Sequence, residues 1–404
     1  MHQIIFEKPY RFYPPRESRF WPAVLRRILN LYLRRSHGIG TVEVHGEQRL
    51  RDSIAAGHGI MLAPNHCRPC DPMVLGHLAW DCGSTLFIMA SRHLFEESRL
   101  QRFLLQRAGA FSIYREGMDR EAIKCAIQRL TEARRPLVIF PEGVVSRTND
   151  RLGPLMDGTA FIARNAAKQR AALPVPGKVV VHPVALRYGF EGNLDSALSP
   201  VLDDIEQRLT WKSPAKSTMG ERIAKIGLAL LMLKEMEFFD EVRSGEIEPR
   251  INALIDHLLL PLETEWIKGR REPDVVGRVK ALRIAILPDM VTGDIVEAER
   301  VRRWRQLEEC YLAQQLNFYP LDYFAPGVAP EKMLETVERF EDDLTDHVTI
   351  HGPIRAIINV GEAIEVSPVR ERGGEGDPVM RQIREQLEAL LQHHQINNER
   401  REVP

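Results

Sequence analysis

The first half of the chain alternates between two hydrophobic periods. Thr41–His45, Gly59–Ala63, Leu86–Ala90, Gly109–Tyr114, Leu137–Phe140 and Val179–Leu186 are short apolar blocks bounded by turn residues, the pattern of buried strands. Segments of helical period lie between them. Asp71 and Pro72 place an N-cap residue before a proline and open a helix that Met73–Trp80 continues. Met118–Ala133 carries Ala122, Ile123, Ala126, Ile127 and Leu130 on one stripe and charges elsewhere. Strands separated by helices predict an α/β fold: a mostly parallel sheet flanked by helices on both faces.

From about residue 192 to 348 the pattern changes to long helical periodicities, as in Glu221–Val242 and Ala298–Leu316. These residues read as a helical insertion subdomain, with turn-rich Gly192–Lys216 as its connection. Ile226–Leu233 is apolar around most of its circumference, which suits a helix buried in a core, or a lid or membrane-docking surface. Glu371–Asp377, rich in glycine and charge, reads as a mobile loop before a final helix.

The N-terminal segment carries eight Lys or Arg against two Glu, interleaved with Tyr10, Phe12, Tyr13, Phe20 and Trp21. Trp21, Val24, Leu25, Ile28 and Tyr32 recur at helical spacing, with Arg26, Arg27, Arg34 and Arg35 mainly off that stripe. The stripe either packs on the domain, leaving solvated arginines, or lies in a lipid interface.

Composition narrows the classes. With 44% apolar and 27% charged residues among 404, the chain is of globular type and long enough for a large core. A formal net charge of −1 lacks the uniform attraction by which nucleic-acid binders hold phosphates. Five cysteines, an odd number scattered along the chain, argue against a disulfide framework and for a reducing, cytoplasmic setting. No run approaches the roughly 18 to 20 apolar residues that span a bilayer, so membrane contact is expected to be peripheral.

Chemistry concentrates where the predicted strands end, as in open α/β sheets. Pro64-Asn65-His66-Cys67-Arg68-Pro69-Cys70-Asp71 follows the second block. On a regular helix His66 and Asp71 would lie on different faces, but Pro69 and Pro72 favour a turn that joins them. Asp71 could then hold His66 Nδ1 and leave Nε2 as a base; equally, Asp71 could only cap its helix and His66 be an ordinary loop residue. Phe140-Pro141-Glu142-Gly143 ends another strand, with Ser146 and Arg147 close behind, and Gly109–Tyr114 ends in Arg115, whose guanidinium suits phosphate.

In chain order these sequences resemble the glycerol-3-phosphate and 1-acylglycerol-3-phosphate acyltransferase family, whose blocks include Asn-His-x4-Asp and Phe-Pro-Glu-Gly; Val181-His182-Pro183-Val184-Ala185 is similar to its fourth block. The resemblance covers roughly residues 20 to 190, and Ile354–Ile364 and Pro378–His394 look like the family's next strand and closing helix; it thus implies a division into 1–36, an N-terminal segment, 37–191 plus 349–404, the α/β domain, and 192–348, a helical insertion between two sheet elements. It implies an acyltransferase in which His66 is general base, Asp71 its partner, and Asn65, Arg115, Phe140, Pro141, Glu142, Gly143, Ser146 and Arg147 bind substrate, Arg115 as phosphate ligand. It implies no metal and no cofactor beyond acyl-CoA or acyl carrier protein as co-substrate, a glycerol-phosphate or lyso-phospholipid acceptor, a membrane surface as partner, and no nucleic acid. Val144 and Val145 stand where the family commonly has Thr-Arg, and Leu155–Gly158 lacks its basic pair, so another acceptor, such as an amino-lipid, stays open. Two other classes also stay open: an inactive lipid-binding protein of the same fold, and a metal or redox site at Cys67 and Cys70.

Overall fold

The apolar blocks assemble into a single sheet in the computed structural model, which describes residues 8–18, 20–209, 217–293, 295–319, 328–369 and 376–399, with side chains to 392. Up to residue 190 the elements are α1 Phe20–His37, β1 Ile39–His45, α2 Glu47–Ala55, β2 Gly59–Pro64, α3 Asp71–Asp81, β3 Phe87–Ser91, α4 His93–Glu96, α5 Arg99–Ala108, β4 Ala110–Ile113, α6 Arg120–Glu132, β5 Leu137–Val138, α7 Gly158–Ala171 and β6 Val179–Phe190. Seven helices follow: α8 Leu194–Arg208, α9 Met219–Phe239, α10 Ile247–Ile267, α11 Val275–Ile286, α12 Pro288–Thr292, α13 Glu297–Asn317 and α14 Pro330–Thr345. The chain closes with β7 Ile354–Val360, β8 Ile364–Glu365 and α15 Pro378–Glu399.

The sheet has eight strands in the order β1-β7-β6-β2-β5-β3-β4, with β8 on β6. Strands β2 to β6 run parallel, whereas β7 is antiparallel to β6 and carries β1 parallel to itself. Strand alternation divides the core. Met61 and Ala63 join Phe87, Val181 and residues of α6, α7 and α15 on one face, while Ile60 and Leu62 join Val74, Leu78, Val180 and Ile358 on the other. The twelve-residue β6 outruns β2: their pairing stops at Val184, and β7 covers the opposite edge of β6 from Val184 to Phe190.

Two compact units result, one of Tyr10–Glu191 with Ile350–Pro404 and the other of Gly192–Thr349 with Lys8 and Pro9. In the helical unit Leu254, Leu258, Leu282, Leu307 and Ala313 form the core from α10, α11 and α13. Buried carboxylates there meet guanidinium groups of neighbouring helices: Glu235 on α9 with Arg250 on α10, and Glu263 on α10 with Arg278 on α11.

Several expectations are corrected. Gly192–Lys216 is no simple connection: Leu198, Val201, Leu202 and Ile205, spaced by three and four, bury one face of α8, which Asn193 caps; 210–216 lie outside the described residues. Strand β5 holds only Leu137 and Val138, because Phe140 and Pro141 turn into the following loop. Asp71 occupies the first helical position after Cys70 rather than the cap. In α1 the face turned to the core carries Pro22, Leu29 and Leu33, while Phe20, Ile28, Leu31 and Tyr32 are exposed. Tyr10 and Tyr13 stack on Tyr114 and Phe95. In α9 Ile223, Ile226 and Leu231 are buried, but Leu228, Met232, Leu233 and Met236 are exposed. The loop expected at Glu371–Asp377 falls mostly outside the described residues.

Candidate active site

The loop between β2 and α3 brings His66 and Asp71 together. His66 Nδ1 lies 2.8 Å from Asp71 Oδ2, with the carboxylate fully buried and the imidazole slightly open. The same oxygen accepts the Arg68 N–H at 3.0 Å, closing the turn that the prolines make possible. Asp71 Oδ1 accepts the hydroxyl of Tyr188 at 2.5 Å. Burial and the neighbouring carboxylate push the Tyr188 phenol well above its ordinary range, so it stays a donor. Phe140 stacks on the imidazole with ring centroids 3.9 Å apart.

The loop after β5 is tied to the same turn. Glu142 is buried, and both of its oxygens accept main-chain N–H groups: Oε1 from His66 at 2.8 Å and Oε2 from Gly153 at 2.9 Å. Burial pushes its carboxyl above the usual range, against the pull of those donors. Ser146 donates its N–H to His66 O at 2.7 Å. Gly143 has φ +69°, a conformation that favours glycine, and a Cβ there would displace the flexible end of Met156. Pro141 is buried beside it, and Arg147 follows with φ +54°. Arg115, just beyond β4, donates Nη1–H to Gly143 O at 2.6 Å.

Two asparagines close the open edge of β6. Beyond the end of β2, Asn65 accepts the Leu186 N–H and donates to Leu186 O, at 2.7 and 3.0 Å. Asn149 accepts the Tyr188 N–H at 2.8 Å and donates to Tyr188 O. Each amide completes the ladder as a strand neighbour would, which fastens both loops and Tyr188 to one strand. Sequence reading stopped the strand at Leu186 and missed Tyr188 and Asn149; the alternation of buried positions continuing past Leu186 was the available signal for Tyr188. Sequence reading also assigned Glu142 to the acceptor, whereas its oxygens brace the loop.

The cysteine pair is spent on packing. Cys67 Sγ lies 3.6 Å from Leu186 O, and Cys70 Sγ 3.9 Å from Tyr188 Oη, with burial pushing the Cys70 thiol up to about 12. Among the described residues no three His, Cys, Asp or Glu converge as a metal site. His182 of the fourth block is buried, bonded to Ser53 Oγ and Gly361 O, and burial pulls its pKa down, so it acts as a structural histidine.

Loops from the C-terminal ends of β2 and β5, fastened around a His–Asp pair, stand where open α/β sheets bind their ligands. Residues 41–187 match the family model described as Acyltransferase, and the chain is similar to that family over this part of its length. No curated protein matches the chain.

Proposed function

We propose that this acyltransferase moves a fatty acyl group from acyl-CoA or acyl carrier protein to a hydroxyl of a glycerol-phosphate or lyso-phospholipid, with His66 as general base. The observation that carries the reading is the 2.8 Å contact of His66 Nδ1 with buried Asp71, which points Nε2 away from the turn. Asp71 holds the tautomer and stabilises the imidazolium. Nε2 takes the acceptor hydroxyl proton as oxygen attacks the thioester carbonyl. The C–O bond forms, the C–S bond breaks, and the departing thiolate leaves with that proton. Phe140 keeps the imidazole plane, and Arg115, held on Gly143 O, has donors enough to grip an acceptor phosphate as well. An oxyanion is poorly served by α3, because the N–H groups of Arg68, Asp71, Met73 and Val74 are bonded within the turn and Pro72 has none.

Delivery of such substrates fits a peripheral lipid surface. No described helix is long and apolar enough to cross a membrane. The exposed Phe20, Ile28, Leu31 and Tyr32 of α1 lie among Arg27, Arg34 and Arg35, a combination that suits anionic headgroups.

The test is transfer from labelled acyl-CoA or acyl carrier protein to a panel of lyso-lipids, amino-lipids included, read by mass spectrometry. His66→Ala should retain the fold and lose roughly two to four orders of magnitude in rate. An unchanged rate in the variant removes His66 as base; lipid binding without transfer by the unmodified protein favours the inactive lipid-binding reading.

A further inference from the structure

Beside Arg115 stands a histidine that takes no part in the His66 chemistry. Strands β3 and β4 run parallel with Ser91 opposite Ile113, and the Arg92 N–H donates to Ile113 O at 3.1 Å. His93 and Arg115 therefore leave adjacent strands in step, each two residues beyond that last matched pair. These are the strand ends at which open α/β sheets take their ligands. Burial, aided by Arg115, pulls His93 down from 6.5 to about 4, which puts a neutral imidazole within electrostatic reach of the guanidinium.

The imidazole has a donor to offer. His93 Nδ1 lies 3.0 Å from Ser91 Oγ, and among the described residues nothing bonds Nε2. When the Ser91 hydroxyl donates to Nδ1, the ring proton resides on Nε2. Arg115 donates to Gly143 O in the loop whose Phe140 stacks on His66, so the two side chains border the loop that covers the general base. A terminal phosphate presents three acceptor oxygens and nearly two negative charges, more than one guanidinium already tied to a carbonyl can match.

We propose that His93 is a second ligand of the acceptor's terminal phosphate, donating Nε2–H to one phosphate oxygen while Arg115 holds another. The inference rests on the reading of Arg115 as phosphate ligand and sharpens it: the head is gripped across the ends of β3 and β4 rather than by β4 alone. Ser91 acts through His93 as a positioning residue, fixing the ring that makes the contact.

Calorimetry on the full chain with glycerol 3-phosphate, CoA and dephospho-CoA tests this. Glycerol 3-phosphate should bind the unmodified chain, and His93→Phe, which keeps a flat ring but removes the donor, should weaken it roughly ten- to hundredfold. The ratio of CoA to dephospho-CoA affinity should not change, because that phosphate belongs to the acyl donor. In transfer assays the ratio of KM for 1-acylglycerol 3-phosphate to KM for monoacylglycerol should rise by a similar factor, with kcat nearly constant. A folded His93→Phe that binds glycerol 3-phosphate as before overturns the proposal. So does absence of binding by the unmodified chain, or a loss confined to CoA, which would assign His93 to the donor. Binding that is lost in His93→Phe, with no transfer by the unmodified chain to any acceptor, supports the phosphate site and removes the acyl-transfer reading instead. If His93→Phe fails to fold, nitrogen NMR of the unmodified chain decides: a His93 Nε2 resonance unmoved by glycerol 3-phosphate overturns the proposal.

Discussion

The sheet unit and the helical unit bury polar side chains for different purposes. In the first, Asn65, Asn149 and Glu142 spend their oxygens and amides on main-chain groups of loops and of the unpaired edge of β6. In the second, Glu235 and Glu263 spend theirs on the guanidinium groups of Arg250 and Arg278. Helices satisfy their own backbone, so a polar group buried between them mostly meets another side chain. Loops and strand ends leave N–H and C=O groups unpaired, and side chains that complete them also fix where the chain goes. Side-chain bonds to backbone thus mark the place where position matters, and here that place surrounds His66.

The comparison can be broken most severely at the ion pairs. Arg250→Ala leaves Glu235, which is fully buried, without its counter-charge, and should cost about 3 to 5 kcal/mol in urea unfolding. Arg250→Met combined with Glu235→Leu should recover most of that loss; if the single change costs under about 1 kcal/mol, the pair is not a determinant of the helical unit.

A smaller effect is expected where Tyr188 meets Asp71. Tyr188→Phe removes a hydrogen bond to a charged group, worth about 1.5 to 3 kcal/mol, so kcat should fall roughly ten- to hundredfold at unchanged KM. A fall in stability with kcat intact would assign Tyr188 to packing alone.

The smallest is a pH effect in the sheet unit. Burial, aided by Arg115, pulls His93 down from 6.5 to about 4, so the unfolded chain binds more protons between these values. The stability involved is fully present above pH 6.5 and is lost as pH falls toward about 4. With allowance for partial exposure the loss is about 1 to 2 kcal/mol, and His93→Gln should flatten the dependence in unfolding titrations. A slope unaffected by that change would place the titration elsewhere.

Periodicity located most sheet elements, because burial on two faces imposes continuous apolar blocks whatever their neighbours. It failed at α8, where turn-forming residues masked a helical stripe, and at α1, where the apolar stripe chosen was not the face that the sheet covers. The motif order, with the resemblance it carries, was enough to offer His66 and Asp71 as a pair, whereas the bond of Arg115 to Gly143 O emerged only in the structure. It could not show that Glu142 turns inward, since a carboxylate has the same place in the sequence whether it faces an acceptor or two amides.

By itself, then, the sequence determined the α/β class, the late return of β7 and the residues offered for chemistry. Only the tertiary structure decided that β6 outruns β2, so that Asn65 and Asn149 complete its edge and Tyr188 reaches Asp71. Local pattern records which residues avoid water. Hydrogen bonds between residues more than a hundred positions apart, such as Tyr188 and Asp71, exist only once the strands are in register.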